Sequence, residues 1–303
     1  MLRRSYLFEN TRKLQIRWHA VNPGSPISNS LIPACTEISQ TLRLLTFLES
    51  LELFLGPANF MVHAPTGSEM HTIEYVIRDS HLPRLRHCSL GADYIKGVQH
   101  YTSVLPVFLA STPALRHLKL PDHHTPLHLP PWAIPDLSSF RGAADAAATL
   151  LPGRPVQALA LVGQDSDVTR ENLPRMTLTA LPLRYLDLSA MSVRPALLKN
   201  VSTHFPTVQR LRVRLALRHT LHYAFSGIRL LAGLSSVLSA LQVLEVLDLS
   251  PTDVDGVGRP DPKEELVLVD EWGRASPLLH RVIFPSEAEW VRQEGGLWHL
   301  IPN

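Results

Sequence analysis

The chain predicts an α/β fold: an irregular solenoid of one domain, residues 1–303, with parallel strands on a concave face and helices and loops on a convex face. Three observations predict it. An apolar triplet recurs, as in "STPALRHLKLP", where Leu115, Leu118 and Leu120 alternate with polar residues. Proline stands two residues before the first anchor at Pro83, Pro113, Pro206 and Pro277, which suits a strand start where no ladder amide is needed yet. Between the copies lie segments with helical apolar spacing. No single copy can bury its apolar side alone, so stacking is required.

In chain order the strand copies are Leu48, Leu51 and Leu53; Leu85, Cys88 and Leu90; Leu115, Leu118 and Leu120; and Val156, Leu159 and Leu161. They continue with Leu183, Leu186 and Leu188; Val208, Leu211 and Val213; Leu244, Leu247 and Leu249; and Leu279, Val282 and Phe284. Weaker copies are "TRKLQIRW" with Leu14 and Ile16, and "IPDLSSFRG" with Leu137 and Phe140. Clear repeats span about 40–285.

The helical segments follow the same order. In "RPALLKNVSTHF" Pro195 suits the first helical position, with Leu197, Leu198, Val201 and Phe205 near helical spacing. "SGIRLLAGLSSVLSAL" puts Ile228, Leu231, Leu234, Leu238 and Leu241 on one broad face, and "KEELVLVDEWGRA" opens acidic and carries Leu266, Val269 and Trp272 about a turn apart. Residues 286–300 read as a closing cap. Ser286 and Glu289 fit a helix capping box, Trp290 and Trp298 pack back as a lid, and Gly295 ends the helix.

Composition excludes several classes. The chain has 303 residues, 45% of them hydrophobic, enough for a large core. Its 29 Lys plus Arg against 27 Asp plus Glu leave a net charge of +2, too small to announce a polyanion partner. Cys35 and Cys88 form no C-x-x-C pair and suit a reducing compartment; Cys88 sits at an anchor, where a small apolar side chain belongs. Residues 1–18 hold no apolar run of signal-peptide length, and the apolar stretch 230–241 is shorter than the ~20 residues of a membrane span. The expectation is a soluble, intracellular protein without membrane contact.

The L-x-x-L-x-L spacing resembles leucine-rich repeats, and the "LPxLxxLxL" flavour at irregular intervals is similar to the repeat arrays of fungal F-box proteins. "DEWGRASPLLHRVIFPSEAEW" is similar to the last repeats of those arrays, and the resemblance covers roughly residues 40–293. It implies a non-enzymatic receptor whose repeats hold a substrate for a ubiquitin ligase. The position usually held by Asn carries Asp93, His123, Gln164, Met191, Ala216, Thr252 and Glu287, so the Asn ladder is missing. About a dozen residues precede the first candidate strand, so a ligase adaptor is expected only if an F-box lies upstream.

Alternation along strands places two outward rows on the concave sheet. One is Glu52, Ser89, Lys119, Ala160, Asp187, Arg212, Asp248 and Ile283; the other is Ser50, His87, His117, Ala158, Tyr185, Arg210, Val246 and Arg281. The candidate partner-binding residues are His87, His117, Lys119, Tyr185, Asp187, Arg210, Arg212, Arg214, Asp248 and Arg281, and the expected partner is a protein. Arg210, Arg212 and Arg214 form either an anion site or a ladder paired with Asp187, Asp248 and Tyr185, with Arg214 least accounted for by pairing. Nucleic acid would need a wider basic stripe.

No catalytic, metal or cofactor site is expected. The strand and loop 117–128 collects His117, Asp122, His123, His124 and His128, and an enzyme with a metal site there is the alternative reading, beside a degenerate F-box-like protein without function. A Pro-broken loop gives the three or four ligands of a zinc site no reason to converge, and His219 and His222 suit a connecting segment. Asp253, Asp255 and Gly256 are a calcium-loop fragment with Pro262 where the ligating Glu belongs, and the chain has no P-loop, G-x-S-x-G or G-x-G-x-x-G motif.

Overall fold

Short strands that cannot bury their leucines alone must lie side by side, and they do. A computed structural model describes residues 6–18, 31–56, 59–61, 69–92, 103–216, 231, 233–253 and 261–301. The chain divides into two compact units, Met1–Val156 and Gln157–Asn303.

The first unit runs through α1 (Tyr6–Asn10), β1 (Lys13–Trp18), α2 (Leu31–Leu44) and β2 (Ser50–Leu55) to a small antiparallel pair, β3 (Asn59–Met61) and β4 (Glu69–His71). It continues with α3 (Thr72–Ile77), β5 (His87–Gly91), α4 (Val104–Ala110), β6 (His117–Leu120), β7 (Ser139–Ala143) and α5 (Ala144–Leu150). Strands β1, β2, β5, β6 and β7 lie in that order, all parallel. Both weaker copies, β1 and β7, are full strands of this sheet. Helix α2 packs on α3 and α3 on α4, in step with the strands.

The second unit holds β8 (Ala158–Val162), α6 (Asn172–Met176), β9 (Tyr185–Val193), α7 (Pro195–His204), β10 (Arg210–Leu215), α8 (Ser235–Leu238), β11 (Val246–Asp248) and α9 (Pro262–Ala275). Strands β12 (Arg281–Ile283), β13 (Glu289–Arg292) and β14 (Trp298–Ile301) close it. Strands β8 to β12 pair in sequence order and parallel. Helices α6 to α9 pack in succession.

The same proline-led corner recurs in five coils. A four-residue turn leads into the first anchor: Leu85 N donates to Leu82 O, Leu115 N to Thr112 O, Leu137 N to Ile134 O, Val208 N to Phe205 O and Leu279 N to Ser276 O. Pro83, Pro113, Pro135, Pro206 and Pro277 stand at the second position of these turns, where a fixed φ near −65° is wanted and no amide is needed. One carbonyl then receives two consecutive amides from the next coil. Arg86 and His87 donate to Glu49 O, Arg116 and His117 to Arg86 O, Ser138 and Ser139 to Arg116 O, Gln209 and Arg210 to Arg184 O, and Glu245 and Val246 to Gln209 O. The anchor side chains, all on one side of the strands, are buried from β2 to β12, which stabilises the stack by roughly 1.5–3 kcal/mol per large side chain.

The missing Asn ladder is replaced one coil at a time. Thr252 Oγ1 accepts from Leu215 N at 3.1 Å and donates to Val213 O at 3.3 Å; Asp122 Oδ2 accepts from Ala92 N at 3.0 Å. Asp93, Ile228, His219, His222, Asp255 and Gly256 lie outside the described residues. Between β6 and β7 the connection has no helix, and the buried Arg154 organises it by donating to Pro130 O at 3.0 Å, Ala133 O at 3.2 Å and Leu150 O.

The closing segment departs from the sequence expectation. Residues 289–292 and 298–301 form antiparallel strands, β13 on β12 and β14 on β13, where a helix is predicted. Gly295 and Gly296, at φ of +115° and +87°, supply the hairpin turn and not a helix stop. Ser286 and Glu289 form no capping box: Ser286 Oγ donates to Glu265 Oε1 at 2.7 Å and Glu289 pairs with Arg281. Trp290 is buried and donates Nε1 to Glu265 Oε2 at 2.8 Å, while Trp298 lies against Gly273 of α9.

Candidate functional site

The side of each sheet opposite the buried anchors carries the candidate residues. In the first unit the register aligns Lys13, Ser50, His87, His117 and Ser139 in one row, and Gln15, Glu52, Ser89, Lys119 and Arg141 in the next. In the second it aligns Ala158, Tyr185, Arg210, Val246 and Arg281, then Ala160, Asp187, Arg212, Asp248 and Ile283. The rows read from alternation thus sit side by side as expected, with the members from β1 and β7 added.

The second-unit face is largely neutralised from within. Arg212 Nε lies 3.2 Å from Asp248 Oδ2, an ion pair whose N–H is not aligned as a hydrogen bond. Arg281 grips Glu289 with both arms, Nε to Oε1 at 2.8 Å and Nη2 to Oε2 at 3.0 Å. Burial, then the carboxylate of Asp187, raises the Tyr185 hydroxyl pKa, and Asp248 adds to this; the charge of Arg212 and its hydrogen bond to Tyr185 oppose it. Asp187 and Asp248 also hold the chain. In each "LDLS" the Asp Oδ1 accepts the amide of the Ser two residues on, Ser189 N at 2.8 Å and Ser250 N at 3.0 Å. The first of these turns begins a bulge in β9, so Arg214 faces Ser192 and not a carboxylate. Arg210 and Arg214 make no ion pair among the described residues.

The first-unit face carries fewer acids: Glu52 is the one carboxylate among the described residues of its strands. His87 and His117 stack with ring centroids 4.5 Å apart and planes 10° apart. Burial, then the neighbouring His87, Arg116 and Lys119, pushes the His117 pKa down. Glu52 is held by Arg17, Nε at 2.9 Å and Nη2 at 2.5 Å from Oε1.

The histidine loop does not converge. Asp122 Oδ2 stands 3.6 Å from Nε2 of the buried His71, His123 is buried, and His128 is exposed. Among the described residues no group of three or more His, Cys, Asp and Glu is placed to hold a metal ion. Cys88 is buried and its thiol is driven far up; Cys35, also buried, is pushed up to about 11, so neither is a ready thiolate. Among the described residues no helix is long and apolar enough to cross a membrane.

Arg141, Gln15 and Arg17 belong to the face and are absent from the sequence-predicted set. The signal existed in "SSFRGA", where Phe140 and Gly142 alternate with Ser139 and Arg141, but a glycine at the third anchor masks the triplet.

Fold and face together define an irregular leucine-rich-repeat array of α/β type, with strand–corner–helix or strand–corner–loop coils in each unit. No protein-family model matches the chain, and no curated protein matches it. A leucine-rich-repeat protein of Leptospira interrogans is similar in structure at a TM-score of 0.39 and 12% identity, over 92% of this chain and 56% of that one. This chain therefore spans little more than half the length of that protein. The fold assignment itself rests on the strand register and the recurring corner.

Proposed function

We propose that the chain is a non-catalytic, intracellular protein-binding module that holds a partner protein on the polar face of its parallel sheets. The observation that supports this is the pair of registered polar rows opposite the buried anchors, His87, His117 and Lys119 in one unit and Tyr185, Arg210, Arg212 and Arg281 in the other. A face of paired and unpaired charges around the half-buried Tyr185 suits recognition of a peptide or protein surface. The finer reading is the substrate-holding repeats of an F-box-type ubiquitin-ligase receptor. Contact with the ligase then requires an F-box encoded in frame upstream of Met1.

Site-specific photo-cross-linkers test the reading. Placed at Ser89, Tyr185 and Arg210 they should capture a partner from cells, and the Arg210→Glu/Arg214→Glu variant should lose it. Placed at the exposed Val107 and Val267 of α4 and α9 they should not. Capture from the helices alone overturns the proposal.

A further inference from the structure

The first-unit face has an excess of positive charge that the sequence total conceals. Among the described residues of β1, β2, β5, β6 and β7 the only carboxylate is Glu52, and Arg17 occupies it. At the leading corners Glu49 is shared by Arg12 and Arg86, 3.8 Å from each. Against these stand Lys13, Arg116, Lys119, Arg141, His87 and His117. Arg116 and Lys119 are exposed and make no ion pair among the described residues.

We propose that this face binds an acidic peptide segment, held by Arg116, Lys119 and the stacked His87–His117 pair, and binds it more tightly as pH falls through the imidazole range. The inference rests on the sheet-face reading above and names its partner's chemistry.

The groups facing His117 come from each packed strand. On β5 they are His87 and Ser89, with Arg86 at the corner; on β7 they are Ser139 and Arg141; on β6 itself it is Lys119, with Arg116 at the corner before it. None is an acid, so protonating His117 adds repulsion that an incoming anion relieves. The His117 pKa is pushed down first by burial and then by His87, Arg116 and Lys119, all basic groups. On the second-unit face Asp248 and Glu289 hold Arg212 and Arg281, which leaves Arg210 and Arg214 without an ion pair among the described residues, and neither registered row there holds a histidine.

The experiment uses the full chain and a fluorescent Asp/Glu-rich dodecapeptide, with its Asn/Gln counterpart as control, read by anisotropy at low salt. The acidic peptide should bind and the amide peptide should not. Affinity should rise roughly three- to tenfold between about pH 8 and pH 5.5, above the titration of the peptide's own carboxylates. His87→Gln/His117→Gln should flatten that rise, and Lys119→Glu should weaken binding about tenfold or more, with circular dichroism confirming the fold. Equal binding of both peptides, a pH-independent affinity, or complete displacement by a single-stranded oligonucleotide of equal charge would each overturn the proposal. If it falls while cross-links at Ser89 and Arg210 persist, the sheet-face reading stands and only the acidic partner is wrong.

Discussion

Glu265 is the residue on which the closing hairpin depends. It lies in α9, is 1% exposed, and uses both oxygens, Oε1 for Ser286 Oγ at 2.7 Å and Oε2 for Trp290 Nε1 at 2.8 Å. A hydrogen bond to a carboxylate contributes about 1.5–3 kcal/mol. In Glu265→Ala, Ser286 can turn to water because it is exposed, but Trp290 cannot, so its indole N–H is left buried without an acceptor. The lost Trp bond and a small cavity together cost about 3 kcal/mol, and Glu265→Gln, which keeps one carbonyl oxygen, about 1 kcal/mol. Urea unfolding followed by tryptophan fluorescence reads the loss, and hydrogen exchange should show β13 and β14 opening first. A double-mutant cycle with Trp290→Phe isolates the contact and should return about 1.5–3 kcal/mol of coupling. A cost below about 1 kcal/mol for Glu265→Ala, or full additivity with Trp290→Phe, would refute the hairpin lock.

Three further outcomes follow. Arg154→Met should destabilise the first unit by about 2–4 kcal/mol in urea, because three carbonyls of the 130–150 region lose their donor. Gly142→Ala puts a Cβ 2.5 Å from the Phe140 ring and 3.2 Å from Leu120 O, for a loss of about 1–3 kcal/mol that should shrink when Phe140 is also changed to Leu. The folded pKa of His117 lies below its ordinary 6.5, so the unfolded chain takes the proton first as pH falls. The stability it contributes is full above about pH 6.5 and is lost as pH drops through the folded value; Tm should fall over that window, and His117→Gln should flatten the fall.

Much of the fold was legible because the leucine triplet encodes both the strand and the direction of its side chains. Leu115, Leu118 and Leu120 specify which way His117 and Lys119 point, and the register matched row by row. The strand β7 was faint for a physical reason. Gly142 stands at its third anchor because the Phe140 ring fills the space a side chain would take, so the pattern lost a letter that packing does not need. The closing segment misled because Ser286, Glu289 and Gly295 carry helix signals at the right intervals, while Glu265, far away in sequence, draws Ser286 and Trp290 into a hairpin. Within the face, spacing identified Arg210, Arg212 and Arg214 together, but Arg212 alone stands between Asp187 and Asp248, and the bulge in β9 sets Arg214 opposite Ser192.

By itself the sequence determined the repeating strand, its inward and outward sides, and the proline-led corner, since each follows from local alternation and backbone constraint. Only the tertiary structure decided which charges cancel. Arg212 with Asp248, Arg17 with Glu52, and the stacking of His87 on His117 arise between strands that are distant in sequence, and Arg281 with Glu289 across a closing strand pair where the sequence predicts a helix. The sign of each face is set by contacts across hydrogen-bonded neighbours about 4.8 Å apart, a distance that no order of residues along the chain expresses.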